Sequence, residues 1–256
     1  MLGPGKNLEN ISIFSGHRGI GIPALKDVIS GTQPSGERMI KLIVDNKAFK
    51  VKEGTNLLQA CLENDVYIPN LCYLADMTHP PASCRLCFVQ LDGQKNPVAS
   101  CTTRVKEGMV VKTNTPPVRR LQRAALELLL SAHHVDCARC PANKKCDLQR
   151  MAKFLKVGLK PKRLENVIKV SGTEEDHPCL VFYPDRCVLC GKCVHVCQER
   201  QQRPHLSFAQ RGLDTRISFY GEMNVEKIPC ETCLACVDVC TVSAIINKGH
   251  TAQSAR

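Results

Sequence analysis

Seventeen cysteines in 256 residues dominate the chemistry this sequence can do. Eight fall into two copies of one run, Cys187-x2-Cys190-x2-Cys193-x3-Cys197 and Cys230-x2-Cys233-x2-Cys236-x3-Cys240. Three thiolates at intervals of three wrap a tight loop around one face of an iron–sulfur cubane, and the fourth ligand arrives from a distant segment. A single zinc ion is usually closed by two separate Cys pairs instead. A second constellation, His133-x3-Cys137-x2-Cys140-x5-Cys146, sets one imidazole beside three thiols. Taken alone it fits zinc as well as iron–sulfur, and His134 rivals His133 for the imidazole position. A third, Cys72-x11-Cys84-x2-Cys87-x13-Cys101, does not have the plant-type C-x4-C-x2-C spacing. Cys61 and Cys179 stand outside all three; both read as packing thiols.

The elements that must carry these groups are legible in the spacing of apolar residues. From Met39 the chain alternates, with Ile40, Leu42 and Val44 on one face, an Asp45-Asn46 turn, and Phe49 and Val51 on the return strand. Gly54-Thr55 opens a short helix with Thr55 as its N-cap and Leu57, Leu58, Cys61 and Leu62 as its apolar face. Phe88–Leu91 and Met109–Lys112 read as further strands. Thr115-Pro116 starts a helix whose apolar line is Val118, Leu121, Ala125, Leu128 and Ala132, delivering His133 and His134 to its C-terminal end. Another helical pattern covers Leu148–Leu155, followed by Lys160-Pro161-Lys162-Arg163, a solvated basic stretch. The expected fold class is α+β. Residues 1–38, with the linker Ser30–Gly36, form an N-terminal extension; its Gly19-Ile20-Gly21 fragment is too short for nucleotide binding.

The two four-cysteine runs resemble the bacterial two-cluster ferredoxins, in which the fourth Cys of each run ligates the other cluster. That resemblance implies one [4Fe-4S] cluster on Cys187, Cys190, Cys193 and Cys240, and another on Cys230, Cys233, Cys236 and Cys197. Gln198 and Thr241 stand where the family runs end in Pro. The His133 constellation, with Cys140-Pro141 leading to Cys146-Asp147-Leu148-Gln149, resembles the one-His, three-Cys [4Fe-4S] site of the complex I large iron–sulfur (G) subunit and of iron-only hydrogenases. Ile68-Pro69-Asn70-Leu71-Cys72 and Ser83-Cys84-Arg85-Leu86-Cys87 resemble the [2Fe-2S] domain of the same families.

Over about residues 39–246 the chain thus resembles the N-terminal region of that large iron–sulfur subunit, the small diaphorase subunit of NAD-reducing hydrogenases, and the N-terminal part of iron-only hydrogenases. The implied architecture is a β-grasp [2Fe-2S] ferredoxin domain at 39–115, a small helical [4Fe-4S] domain at 116–160 and a two-[4Fe-4S] ferredoxin-like domain at 177–248. The implied ligands are Cys72, Cys84, Cys87 and Cys101; His133, Cys137, Cys140 and Cys146; and the two cubane sets. The implied function is an electron-transfer subunit relaying single electrons between a flavin/NAD(H) subunit and a terminal catalytic subunit.

Charge and localisation agree with that expectation. The formal net charge of +11 counts every thiol as neutral. Four clusters held by fifteen thiolates and one imidazole carry roughly −7 when oxidised, which leaves the loaded chain near about +4 and weakens a nucleic-acid reading. Met1-Leu2-Gly3-Pro4-Gly5-Lys6 opens no secretory signal, and no apolar stretch is long enough to span a bilayer, so a cytoplasmic, reducing setting without a transmembrane segment is expected. No nucleophile with its base, P-loop or long glycine fingerprint is present, so no catalytic site of the chain's own is expected. A free-standing polyferredoxin and, more remotely, a zinc-binding nucleic-acid protein are the alternative expectations.

Overall fold

The structure, a computed structural model, describes residues 38–167, 172–174, 176–200, 205–221 and 230–251. The expected N-terminal extension, including its linker and its glycine fragment, lies outside the described residues apart from Arg38.

Strands β1 (Met39–Val44) and β2 (Lys47–Lys52) form the expected antiparallel hairpin, with Ile40, Leu42, Val44, Phe49 and Val51 turned inward. Asp45 and Asn46 both take positive φ, 48° and 70°, which a two-residue turn matching the strand twist requires and which Asp and Asn tolerate. The turn is fastened to the sheet, since the Asp45 carboxylate accepts the Thr113 N–H at 2.9 Å and the Thr113 hydroxyl. With β3 (Phe88–Leu91), β4 (Val98–Ala99) and β5 (Met109–Lys112) the hairpin makes a five-stranded sheet of order β2-β1-β5-β3-β4. Only the β1–β5 pairing is parallel. The two-residue β4 is too short to show alternation in sequence.

Helix α1 (Leu57–Glu63) buries Leu57, Leu58, Ala60 and Cys61 against this sheet's core. Its cap is one residue later than the expected Thr55. The Asn56 side chain accepts the N–H groups of Leu58 and Gln59 at 3.0 and 3.3 Å. Thr55 is occupied elsewhere, its hydroxyl donating to the Lys52 carbonyl at 2.7 Å in the turn leaving β2.

Helix α2 (Pro116–Ser131) starts as expected, with the Thr115 hydroxyl accepting the Val118 N–H. Its buried line is rotated from the expected one. Val118 and Ala125 face inward, but Leu128 is 61% exposed while Gln122, Leu126 and Leu130 are buried. The inward row runs 118, 122, 126, 130 at a spacing of four, and Gln122 joins it because its amide donates to the Phe88 carbonyl at 2.9 Å on β3. A polar residue was thereby hidden from the apolar pattern. Helix α3 (Asp147–Leu155) packs on α2 and buries Leu148, Met151, Ala152 and Leu155. The three basic residues of the 160–163 stretch are exposed, Arg163 pairing with Glu127.

In the C-terminal part, β6 (Leu180–Phe182) pairs antiparallel with β9 (Ile245–Asn247), and β7 (Leu206–Ala209) with β8 (Arg216–Phe219). Helix α4 (Lys192–Arg200) packs on β7 and on α6 (Ala235–Asp238), which follows α5 (Cys230–Cys233). The sheet has its own core, whereas α2, α3 and the C-terminal part share a second one built around Leu126, Leu130, Met151, Phe182, Val196 and Val242. Among the described residues no helix is long and apolar enough to cross a membrane.

Candidate functional site

All 17 cysteines are free of disulfides. In the sheet domain, Cys72 follows α1, Cys84 and Cys87 precede β3, and Cys101 sits in the single turn Ser100–Thr102 after β4. None is more than 5% exposed. The Cys72 and Cys84 sulfurs lie 3.4 Å apart, and those of Cys87 and Cys101 share a hydrogen bond. That bond to Cys84 draws the Cys72 thiol down to about 5 against its burial, and Cys101 likewise draws Cys87 down to about 7. The partners Cys84 and Cys101 are raised by the same bonds and by burial. Main-chain N–H groups also reach the sulfurs, those of Ser83 and Cys84 reaching Cys72 and that of Leu86 reaching Cys84. Arg85, at φ 53°, takes the tight bend between Cys84 and Cys87.

At the end of α2, Ala132 is the C-cap and the two histidines diverge. The ring of His133 is partly buried and its Nδ1–H donates to the Arg186 carbonyl at 2.7 Å, which leaves Nε2 with a lone pair able to ligate. Burial lowers its pKa, which favours the neutral imidazole. His134 is exposed and tied to Asp185, through its N–H to the carbonyl at 2.7 Å and its Nδ1 at 3.6 Å from the carboxylate. Cys137 and Cys140 bracket a single helical turn, and Cys146 occupies the N-cap of α3. Burial raises the Cys146 thiol, and the neighbouring Cys140 raises it further, while the Leu148 and Gln149 N–H groups point at its sulfur and favour the thiolate.

The C-terminal cysteines group across the repeat. Burial raises Cys193, and Cys190, Cys187, Cys240 and, last, Cys236 raise it further. Cys240 accepts the Ala244 and Ile245 N–H groups at 3.1 and 3.5 Å. Burial pushes Cys236 up to about 12, followed by Cys230, Cys197 and Cys233. Cys197 accepts the His205 N–H at 3.3 Å. Cys197, Cys230, Cys233 and Cys236 line one cavity, otherwise walled largely by apolar side chains. Among the described residues no three His, Cys, Asp or Glu side chains converge on a point that holds a single metal ion.

Three segments match known families: residues 37–116 a "2Fe-2S iron-sulfur cluster binding domain", residues 122–159 the "NADH-ubiquinone oxidoreductase-G iron-sulfur binding region", and residues 180–200 a "4Fe-4S binding domain". The chain is similar to the iron–sulfur subunits of complex I and of NAD(P)-reducing hydrogenases. It is 33% identical over 216 residues to the NADP-reducing hydrogenase subunit HndD of Solidesulfovibrio fructosivorans, a match covering 83% of this chain and 37% of that protein. It is 32% identical over 213 residues to the mitochondrial NADH-ubiquinone oxidoreductase 78 kDa subunit of Neurospora crassa, covering 82% and 28%. The chain therefore spans well under half the length of these two relatives. A chain in the crystal structure of NAD+-reducing [NiFe]-hydrogenase in the H2-reduced state superposes with a TM-score of 0.69 at 26% identity, covering 82% of this chain and 87% of that one.

Cys61 is fully buried within the sheet core, in the same apolar cluster as Cys87 and Cys101. Cys179 is half-buried, and its sulfur lies 3.6 Å from Nδ1 of His177 and close enough to Cys230 to raise that thiol. Sequence reasoning missed His177. No motif surrounds it, and only the fold brings it to the wall of the Cys197/Cys230/Cys233/Cys236 cavity.

Proposed function

We propose that the chain is an electron-transfer subunit of a multisubunit NAD(P)(H)-linked oxidoreductase, with one [2Fe-2S] and three [4Fe-4S] clusters. Cys72, Cys84, Cys87 and Cys101 hold the first; His133, Cys137, Cys140 and Cys146 the second; Cys187, Cys190, Cys193 and Cys240 the third; Cys230, Cys233, Cys236 and Cys197 the fourth. The corresponding units are a β-grasp domain at 39–115, a helical domain at 116–160 and a two-cluster domain at 177–248. The clusters supply reversible one-electron chemistry. The chain's residues hold them, exclude water and direct N–H groups at sulfur, which sets their potentials.

The observation that carries this reading is the adjacency of the four sets. Cys190, raised to about 11 by burial, also feels Cys72 of the sheet domain. His133 bonds to Arg186, beside Cys187, and the Asp147 N–H, beside Cys146, donates to the Thr241 carbonyl, beside Cys240, at 3.4 Å. Cys193 and Cys197 share α4. The set around Cys187 and Cys240 is then a junction among the other three. Such contiguity suits a conductor, and a flavin/NAD(H) subunit at one end with a terminal catalytic subunit at the other is the partnership we infer from the relatives. Hydrogenase, formate dehydrogenase or a complex I-like reductase each suit the terminal role, in a reducing, cytoplasmic compartment.

Anaerobic purification of the natural complex tests this directly. A brown chain with about 14 iron and 14 sulfide, accompanied by a flavoprotein and bleached by NADH or NADPH, is the expected result. A colourless chain with stoichiometric zinc overturns it. A brown chain with no flavoprotein that exchanges electrons freely between soluble donors and acceptors points instead to a free-standing polyferredoxin.

A further inference from the structure

His177 is 2% exposed and lines the cavity shared by Cys197, Cys230, Cys233 and Cys236. Its Nδ1 accepts two main-chain N–H groups, those of Cys179 and Leu180, both at 3.2 Å. An imidazole nitrogen that accepts carries no proton, so the proton resides on Nε2. The ring cannot turn freely, because Phe219 packs on it with centroids 4.8 Å apart. Among the described residues the buried Nε2 has no hydrogen-bond partner. A buried donor without an acceptor costs its full desolvation, so such groups in folded proteins normally have a partner. The other histidine on this wall, His205, is engaged differently, its Nδ1 facing the Tyr220 carbonyl at 3.3 Å. Leu180, Leu206, Phe219, Leu234 and Ala235 supply no side-chain donor to the same cavity.

We propose that the Nε2–H of His177 donates a hydrogen bond to a sulfur of the [4Fe-4S] cluster held by Cys197, Cys230, Cys233 and Cys236, and thereby raises the potential of that cluster. The inference rests on the ligand assignment proposed above. Reduction adds one electron and one negative charge to a group surrounded by apolar walls, and a fixed N–H aimed at sulfur is worth more to the reduced form than to the oxidised one. No proton moves, since Nδ1 is already committed to two main-chain donors and Nε2 keeps its hydrogen. His177 is a positioning residue for charge and not a ligand.

The test uses the full chain with its clusters intact. Cys236→Ser first identifies the spectrum. Loss of about four iron and of one EPR signal marks the cluster in question. Unchanged iron content would overturn the ligand assignment and the inference that rests on it, whereas the midpoint comparison tests His177 alone. Potentiometric titration followed by EPR then compares wild type with His177→Leu and His177→Gln. The midpoint of the marked signal should fall in the Leu variant, recover at least in part in the Gln variant, which keeps a side-chain N–H, and leave the other signals in place. An unchanged midpoint in His177→Leu overturns the proposal. Should that variant fail to retain the cluster, pulsed EPR of wild type grown with histidine labelled with 15N only at the ring nitrogens decides the matter. A weak imidazole nitrogen coupling on the marked signal supports the hydrogen bond, and its absence rejects it.

Discussion

The Nδ1–H of His133 is held 2.7 Å from the carbonyl oxygen of Arg186, the residue immediately before Cys187. One bond therefore sets the tautomer of the imidazole, aims its Nε2 away from the main chain, and ties the end of α2 to the first four-cysteine run. His134, one residue on, is committed to Asp185 at the surface. The difference between two adjacent histidines lies in their settings: a part-buried ring bonded to a main-chain carbonyl for His133, and a ring 46% exposed beside the mostly buried carboxylate of Asp185 for His134.

His133→Cys should retain iron but shift one [4Fe-4S] potential to a more negative value, because a thiolate then replaces a neutral imidazole. His134→Ala should leave every signal and the iron content unchanged. Redox titration monitored by EPR distinguishes the two, and loss of a cluster in His134→Ala alone would reverse the assignment.

The grouping across the repeat predicts a crossed pattern of losses. Cys240→Ser should remove the cluster associated with Cys187, Cys190 and Cys193, although Cys240 lies only four residues beyond Cys236. Cys197→Ser should remove the one associated with Cys230, Cys233 and Cys236. Double variants make this visible by EPR and iron analysis. Cys240→Ser combined with Cys187→Ser should lose no more than either alone, whereas Cys240→Ser combined with Cys236→Ser should lose two clusters.

Asn56 couples the sheet domain's fold to its candidate [2Fe-2S] site. Its carbonyl oxygen caps α1, and its Nδ2 donates to the Cys101 carbonyl. Asn56→Ala should cost about 2 kcal/mol, from a lost cap and an unsatisfied buried carbonyl. The [2Fe-2S] signal should also be lost sooner under mild denaturant than the [4Fe-4S] signals. Asn56→Asp, which keeps the cap but not the donor, should fall between. Denaturant titration with parallel EPR gives both readings.

Cys61 carries a pH signature of its own. Burial, and then Asp45, pushes its thiol from 9.0 up to about 12. The folded chain keeps this proton at a pH where the unfolded chain has released it. The stability it contributes is complete below about pH 9 and is lost as pH rises toward 12. Cys61→Ala should cost about 1 kcal/mol at neutral pH, leave the iron content intact, and flatten the decline of stability between pH 9 and 12. Thermal unfolding at several pH values measures the difference. A drop in iron in this variant would instead make Cys61 a ligand.

Local spacing alone revealed much of this protein. Thiols at intervals of three, an alternating hairpin around Asp45-Asn46 and a proline-capped helix from Thr115 are properties of neighbours in the chain. Neighbour relations are what periodicity records. Where a second segment competed, the reading slipped. Thr55 lost the α1 cap to Asn56 because the turn from β2 claimed its hydroxyl, and the inward face of α2 shifted because Gln122 found an acceptor on β3. The proposed grouping of Cys197 and Cys240 with the opposite runs was accessible in sequence only through resemblance; for Cys197 it is supported by the cavity that this residue of α4 shares with Cys230, Cys233 and Cys236, where α4 packs on α6. The tautomer of His133 and the unpartnered N–H of His177 had no sequence signal at all. Each depends on which carbonyl or amide the fold brings to a ring nitrogen, from 53 residues away for His133 and from a tight turn facing a distant cavity wall for His177.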